Sequence, residues 1–340
     1  MKQNTFDVIV IGMGPGGEAL AGDLAEAGLS VLGVDRKLVG GECPYWGCVP
    51  SKMMVRAADL LAEARRIDGM AGTATVTPDW EPVARRIRDE ATDDWDDRVA
   101  VERFEGKGGT FVRGAGRLVA RRTVAVGERT YTADRAVVLA TGTEPSIPPI
   151  PGLADVPYWT NRDVVEAKEL PTSLLVLGGG AVGVELAQAL ARFGVTVTVV
   201  EALDRLLPLE TSAAGELLAT VFADEGIEVI TGVSAERIER DGDQITARLD
   251  DGRTVAAAHL LVATGRRTDL AGLSVATVGI DESQPFVPVD DGLRAADGVW
   301  AIGDLTGKGA FTHVSVYQAR IATADILGHP HEPADYRAVP

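Results

Sequence analysis

A strand, a glycine-rich turn, a helix, a second strand and a terminal acid occur in that order twice along the 340-residue chain. This repetition predicts an α/β fold of two Rossmann-like units, one for each of two dinucleotides. A further observation lies between the two copies. The only cysteines of the chain, Cys43 and Cys48, stand directly behind the first glycine turn. Glycine makes up about 11% of the chain against a usual level of roughly 7%, and glycine-rich phosphate loops account for part of that excess.

The first copy opens with residues 6–11, Phe-Asp-Val-Ile-Val-Ile, a short apolar run rich in β-branched residues, as expected of a buried parallel strand. It runs into Gly12-Met-Gly14-Pro-Gly-Gly17, a helix to Ala27 closed by Gly28, and a strand from Ser30 to Val34 ending at Asp35. Gly12 permits the turn, Gly14 lets backbone approach a pyrophosphate, and Gly17 lets the helix pack on the strand. The helix N-terminus offers N–H groups and its dipole to the anion, and Asp35 can accept from a ribose hydroxyl.

Residues 40–52 read Gly-Gly-Glu-Cys-Pro-Tyr-Trp-Gly-Cys-Val-Pro-Ser-Lys, with Lys52 four residues beyond Cys48. A disulfide needs Cα atoms roughly 4.4–6.8 Å apart, whereas residues i and i+5 of an undistorted helix lie about 8 Å apart. A bridge here requires a bent or half-formed first turn, which Pro44 and Gly47 allow. Two unrelated buried thiols and a redox-active dithiol are both compatible with the residues; the place behind a nucleotide turn favours the second.

Ser51–Arg66 then reads as a helix with Met53, Met54, Ala57, Leu60, Leu61 and Ala64 on its apolar face. Residues 80–104 read as one further helix whose acidic patch, Asp93–Asp97, is a solvated face. Short strands are expected at 109–113 and 123–126, with a hairpin through Tyr131. Another buried strand, Ala136–Ala140, leads into Thr141-Gly142, and Pro145, Pro148, Pro149 and Pro151 mark a stiff boundary.

The second copy runs from the strand Ser173–Leu177 through Gly178-Gly-Gly180-Ala-Val-Gly183, a helix to Phe193, Gly194 and the strand Val195–Val200, to Glu201. An acid at Glu201 favours the free ribose hydroxyl of NAD over a 2′-phosphate, although Arg205 stands close enough to bind one. Strands follow at 228–231, 235–240, 244–249 and 260–263, the last closing on Thr264-Gly265-Arg266. A final buried strand, Val299–Ile302, ends in Gly303-Asp304, a candidate holder of a flavin's polyol chain, before a helix over Thr312–Leu327.

Apolar residues at 46% and charged residues at 24% are ordinary for a soluble globular protein. A net charge of −17 opposes a polyanionic partner such as nucleic acid. No apolar run approaches about 18 residues, so no membrane partner is expected, and no residue set is assigned to a metal. Two cysteines do not make a secreted disulfide scaffold; a reducing cytoplasm suits a catalytic pair better.

At these residues the chain resembles the class I pyridine nucleotide–disulfide oxidoreductases, the flavoprotein family of dihydrolipoyl dehydrogenase, glutathione reductase and mercuric reductase. The matching stretches are Gly12–Gly17, Gly40–Lys52, Ala140-Thr141-Gly142, Gly178–Glu185, Ala263–Arg266 and Ala301–Asp304, with the cysteine stretch the most distinctive. The resemblance implies an FAD-binding domain at residues 1–150 plus 275–330 and an inserted NAD(P)-binding domain at 151–274. Residues 331–340 would be a linker stub toward an absent interface domain, and a homodimer is expected only where that domain is present.

By the same resemblance, Gly12, Gly14, Gly17, Asp35, Thr141, Gly142, Gly303, Asp304, Thr312 and His313 would hold FAD. Gly178, Gly180, Gly183, Glu201 and Gly265 would hold NAD(H), preferred over NADP(H). The implied activity is that of an NAD(P)H:disulfide oxidoreductase similar to dihydrolipoyl dehydrogenase. Hydride would pass from the nicotinamide to the flavin, and electrons onward into a Cys43–Cys48 disulfide. Cys48 would lie against the ring, backed by Lys52 paired with Glu185, while Cys43 would exchange with a small-molecule disulfide or other acceptor. Three features depart from the family pattern. Glu42 and Tyr45 replace the usual threonine and asparagine, so that Tyr45 and Trp46 form a bulky aromatic approach. Ala181 stands where many relatives carry a large gating side chain, and the interface domain's acid–base histidine is missing, His329 and His331 reading as loop residues. Alternative readings are a reductase of quinones, dyes or oxygen on the same scaffold, or a non-catalytic flavin redox module.

Overall fold

The computed structural model describes residues 4–338, so the last two residues of the expected linker stub lie outside the described residues. In chain order, β1 (Thr5–Ile11), α1 (Pro15–Glu26) and β2 (Val31–Asp35) lead to α2 (Cys48–Arg65), β3 (Thr110–Arg113) and β4 (Arg129–Leu139). The opening pattern returns in β5 (Ser173–Leu177), α3 (Ala181–Arg192) and β6 (Thr196–Glu201). It is followed by β7 (Glu228–Thr231), β8 (His259–Val262), β9 (Val299–Ala301) and α4 (Thr312–Leu327). The mixed α/β class with parallel sheets agrees with the sequence.

The chain divides into two compact units. One comprises the chain up to Tyr45, Trp95–Glu144 and the chain from Arg267 on; the other comprises Trp46–Asp94 and Pro145–Arg266. In the first, the sheet order is Arg294–Ala296, β9, β4, β1, β2, β3, with a hairpin of Gly116–Ala120 and Thr123–Val126 attached to β4. β1 pairs in parallel with β2 on one side and β4 on the other, Ile11 standing opposite both Val34 and Leu139. The strand order therefore reverses at β1, and the carboxyl ends of β1 and β4 flank the crevice where open α/β sheets bind ligands.

Alternate residues of β1 enter two separate cores. Ile9 and Ile11 join Leu118, Val124 and Leu273 on one face, while Val8 and Val10 join Leu20 and Leu24 of α1 and Ala322 of α4 on the other. A sheet covered on both faces needs this near-continuous apolar run. In the second unit four parallel strands run β7, β6, β5, β8. Leu175, Leu177, Val200 and Leu260 pack with Ile238, Ile245 and Leu249 of a separate antiparallel sheet.

Two stretches differ from the sequence reading. Residues 80–104 do not form one helix: Glu81–Arg86 is α-helical, Ile87–Ala91 continues as a π-turn, and Arg98–Gly106 is a new α-helix. Asp93, Asp94 and Trp95 between them hold φ of 50°, 53° and 56°, left-handed values that end any right-handed helix. Nor is the acidic patch wholly solvated. Asp97 is 8% exposed and accepts from the backbone N of Val39 at 2.6 Å and from Arg113 Nη2 at 2.5 Å. Within the second compact unit α2 lies along α3. Arg192 Nη1 donates to Asp59 Oδ1 at 2.5 Å, and Arg65 Nη2 to the Arg192 carbonyl at 2.8 Å.

Candidate functional site

The two glycine turns are built alike. Gly12 has φ +98° and Gly178 +110°. A Cβ on Gly12 would stand 2.4 Å from the Ala140 carbonyl oxygen, and one on Gly178 would stand 2.3 Å from that of Ala263. Each turn thus abuts the Ala-Thr-Gly segment after the neighbouring strand, Thr141-Gly142 in one unit and Thr264-Gly265 in the other. Gly17 and Gly183 let the helix meet the turn: a Cβ on either would lie 2.0 Å from the carbonyl oxygen of Gly12 or Gly178. Gly14 and Gly180 differ from these, since a Cβ on either would meet nothing within 4 Å. Both are N-cap residues with no side-chain cap, and Pro15 at N1 of α1 has no N–H of its own. The N-terminus of a helix is where an anion can be received.

In both units an acid ties the turn. Asp35 accepts from the backbone N of Met13 through Oδ2 and of Lys37 through Oδ1, both at 2.7 Å. Glu201 accepts from Gly179 N at 2.5 Å and Leu203 N at 2.8 Å, the equivalent positions. A carboxylate has about four acceptor sites, so each acid keeps capacity for a ribose hydroxyl. Burial raises the Asp35 pKa, and the bonds from Met13 and Lys37 only partly oppose it. Arg205 is turned elsewhere, its Nη2 donating to the carbonyls of Pro208 at 2.9 Å and Glu210 at 3.3 Å.

The remaining first-unit candidates lie beyond β4, beyond β9 and at the start of α4. Thr143 Oγ1 donates to Asp304 Oδ2 at 3.0 Å. Gly303, at φ +77°, donates its N–H to Gln318 Oε1 at 2.6 Å, and Gln318 is fully buried. A Cβ on Gly16 would meet the Ser315 carbonyl oxygen at 2.8 Å, so α4 lies directly against α1 beside the turn. Thr312 opens α4 without a side-chain cap before it, and the exposed His313 stacks on Phe311 at 5.3 Å. Gln318 escaped the sequence reading; its signal is a single amide on a buried helix face that is apolar apart from it and Ser315.

The cysteine stretch has the expected broken turn. Glu42–Tyr45 is a short helix, Gly47 takes φ −125° and ψ −115°, and α2 begins at Cys48. Cys43 and Cys48 are both half-buried. Tyr45 is not part of an exposed approach: it is 7% exposed, and its carbonyl accepts from Trp95 Nε1 at 3.2 Å. Burial, then the Asp97 carboxylate, pushes its phenol pKa up. Trp46 is anchored instead. Its indole donates to Glu166 Oε1 at 2.6 Å, its carbonyl accepts from Asn161 Nδ2 at 3.0 Å, and the Arg162 guanidinium lies 4.8 Å over its ring. Lys52 and Glu185 are both exposed on α2 and α3, and among the described residues no ion pair joins them. In water such a pair gains little over solvation.

The sequence matches the model of the pyridine nucleotide-disulphide oxidoreductases over residues 6–319. The chain belongs to that family. It is 33% identical to a mercuric reductase of Acidithiobacillus ferrooxidans over 94% of its own length and 60% of the relative's. It is 32% identical to a dihydrolipoyl dehydrogenase of Chlorobaculum tepidum over 98% and 73%. In structure it is similar to the HOCl-induced flavoprotein disulfide reductase RclA from Escherichia coli, with a TM-score of 0.85 and 28% identity. That match covers 96% of this chain and 72% of the other. The chain therefore spans well under the full length of the family members it matches. Its two dinucleotide-type turns stand in separate compact units. No helix among the described residues is long and apolar enough to cross a membrane.

Proposed function

We propose that the chain is the two-dinucleotide core of an FAD-dependent NAD(P)H:disulfide oxidoreductase, with Cys43 and Cys48 as its redox pair. The observation that carries this reading is the duplicated turn, open at its middle glycine and tied by an acid in both units. In the first unit Gly12, Gly14, Gly17 and the N-terminus of α1 bind pyrophosphate, Asp35 accepts from ribose, and Thr141, Gly142 and the Thr143–Asp304 pair line the polyol path. The Gly303 turn and the start of α4, at Thr312 and His313, complete that site. Bound FAD would supply two-electron transfer between a nicotinamide and a thiol pair. In the second unit Gly178, Gly180, Gly183, Gly265 and Glu201 hold the nicotinamide dinucleotide. The engagement of Arg205 with backbone carbonyls supports NAD(H) over NADP(H). Lys52, one turn beyond Cys48 on α2, brings positive charge to the thiol end of that helix, and Glu185 is its nearest candidate counter-charge on α3. The acceptor is a small-molecule disulfide or another electron acceptor, in a reducing cytoplasm.

The test is anaerobic thiol counting on the FAD-loaded chain. NADH should expose both thiols, NADPH should do so less readily, and Cys43→Ser or Cys48→Ser should each abolish the change. Full NADH consumption with a quinone in both serine variants would instead favour a reductase that does not use the thiols. Failure of the wild-type chain to bind FAD would overturn the reading.

A further inference from the structure

The stretch after α4 is not a free linker. It folds back over the first unit, where the backbone N of Ala334 donates to the Asp291 carbonyl at 2.9 Å and that of Asp335 to the Tyr317 hydroxyl at 2.8 Å. Tyr336 packs edge-on against Tyr317, with ring centroids 6.0 Å apart. At its tip, the Tyr336 hydroxyl accepts from Gln318 Nε2 at 2.9 Å.

Gln318 is the junction of a short relay. Its Nε2 also donates to Thr306 Oγ1 at 3.1 Å, and Thr306 Oγ1 donates in turn to the Gly303 carbonyl at 2.9 Å. Its Oε1 accepts from the Gly303 N–H at 2.6 Å. An amide has one acceptor end and one donor end, and which way it points is set by its partners. Two acceptors, Tyr336 and Thr306, face the donor end of Gln318. The oxygen is thereby left toward Gly303, whose φ of +77° directs the chain into Asp304. The amide is fully buried, so no water can replace a lost partner.

We propose that Tyr336, 33 positions along the chain from Gly303, is a positioning residue that holds the Gly303–Asp304 turn through Gln318 and so helps retain FAD. This rests on the flavin reading given above. Tyr336 touches no reacting group; it orients the amide that orients the turn. The tail thus belongs to the cofactor site as well as to the surface it covers.

Tyr336→Phe in the full chain tests this, because it removes one hydroxyl and keeps the ring against Tyr317. Flavin fluorescence quenching on apoprotein should show an FAD Kd raised about tenfold, the size of one net hydrogen bond. The Gly303 amide should exchange hydrogen faster, while the apoprotein's melting temperature shifts little. Tyr317→Phe removes a neighbouring tail bond that does not reach Gln318, and it should leave both readouts unchanged. Adding Tyr336→Phe to Gln318→Leu should have no further effect on Kd. An unchanged Kd in Tyr336→Phe, or an equal rise in Tyr317→Phe, would overturn the relay while leaving the flavin reading intact. Absence of FAD binding by the wild-type chain would overturn both, and is seen before any variant is made.

Discussion

The turns at Gly12–Gly17 and Gly178–Gly183 share their backbone signs, their tying acids and their open middle glycine, but they are buttressed differently. Apart from the Ala263 segment, which matches Ala140 at the first turn, the second turn's supports lie close in sequence. The Leu207 N–H donates to the Gly179 carbonyl at 2.9 Å, and a Cβ on Gly179 would touch Leu206 at 2.7 Å, both within 30 residues of the turn. The first turn has local supports at the same separation, at Gly40 and Gly41, and adds distant ones. A Cβ on Gly41 would lie 2.8 Å from the Gly14 Cα, one on Gly16 would strike Ser315, and the adjoining Gly303 is held through Gln318 and Tyr336. One motif can therefore rest on the same local and strand-end supports in both units and gain a further support from the far end of the chain in only one. The first site depends in addition on α4 and the tail packing against it.

The harshest break of this comparison is to close the gap between helix and turn. Gly17→Ala or Gly183→Ala would place a methyl 2.0 Å from a carbonyl oxygen. Each should destabilise its unit by about 1–3 kcal/mol through overpacking, read as a lower denaturant midpoint. The two should be alike in size, since the obstruction is the same. A gentler break separates binding from folding. Gly14→Ala and Gly180→Ala meet open space, so melting should be nearly unchanged. Gly14→Ala should weaken FAD binding alone and Gly180→Ala should raise the KM for NADH alone, each by about tenfold or more if the methyl stands where a phosphate must approach. Equal loss of both cofactors in either variant would show that the turns do not act separately.

The smallest effect concerns the docked tail of the first unit. Both nitrogens of His331 face oxygens, the Glu332 carbonyl at 3.0 Å and Asp325 Oδ1 at 3.2 Å. The Glu332 carbonyl first, and Asp325 second, raise its pKa. Burial pushes the Asp325 pKa up, but bonds from Arg294, Trp300 and His331 outweigh this and lower it overall. A raised histidine pKa stabilises the fold fully below the unfolded value of about 6.5, and that contribution is lost as pH rises through the folded value. His331→Ala should therefore lower the melting temperature slightly in mild acid and not at all in alkali. The imidazole is 21% exposed, and screening of a pair that solvent still reaches keeps the effect small.

Much of the fold was legible because its signals are local. Apolar runs marked β1, β5 and β8, glycine spacing marked both turns, and the acids at the ends of β2 and β6 stood where a ribose partner is expected. What was misread lacked a local signal. The run over 80–104 has helical composition throughout, and nothing in Asp93-Asp94-Trp95 announces left-handed backbone. Tyr45 and Trp46 are adjacent aromatics with opposite fates, one buried in the first unit and one anchored by Asn161, Arg162 and Glu166 in the second.

The chain's own order of residues was enough to establish two dinucleotide-type turns, their acids and a paired-cysteine stretch behind the first. Such features depend on backbone torsions and on contacts a few residues away, and those are written in spacing. Which helix carries Cys48 beside α3, which amide props Gly303, and that Tyr336 reaches back to it depend on packing between residues far apart in sequence. A buried polar group must find whatever partner the closed fold brings to it, and only the folded chain specifies that partner.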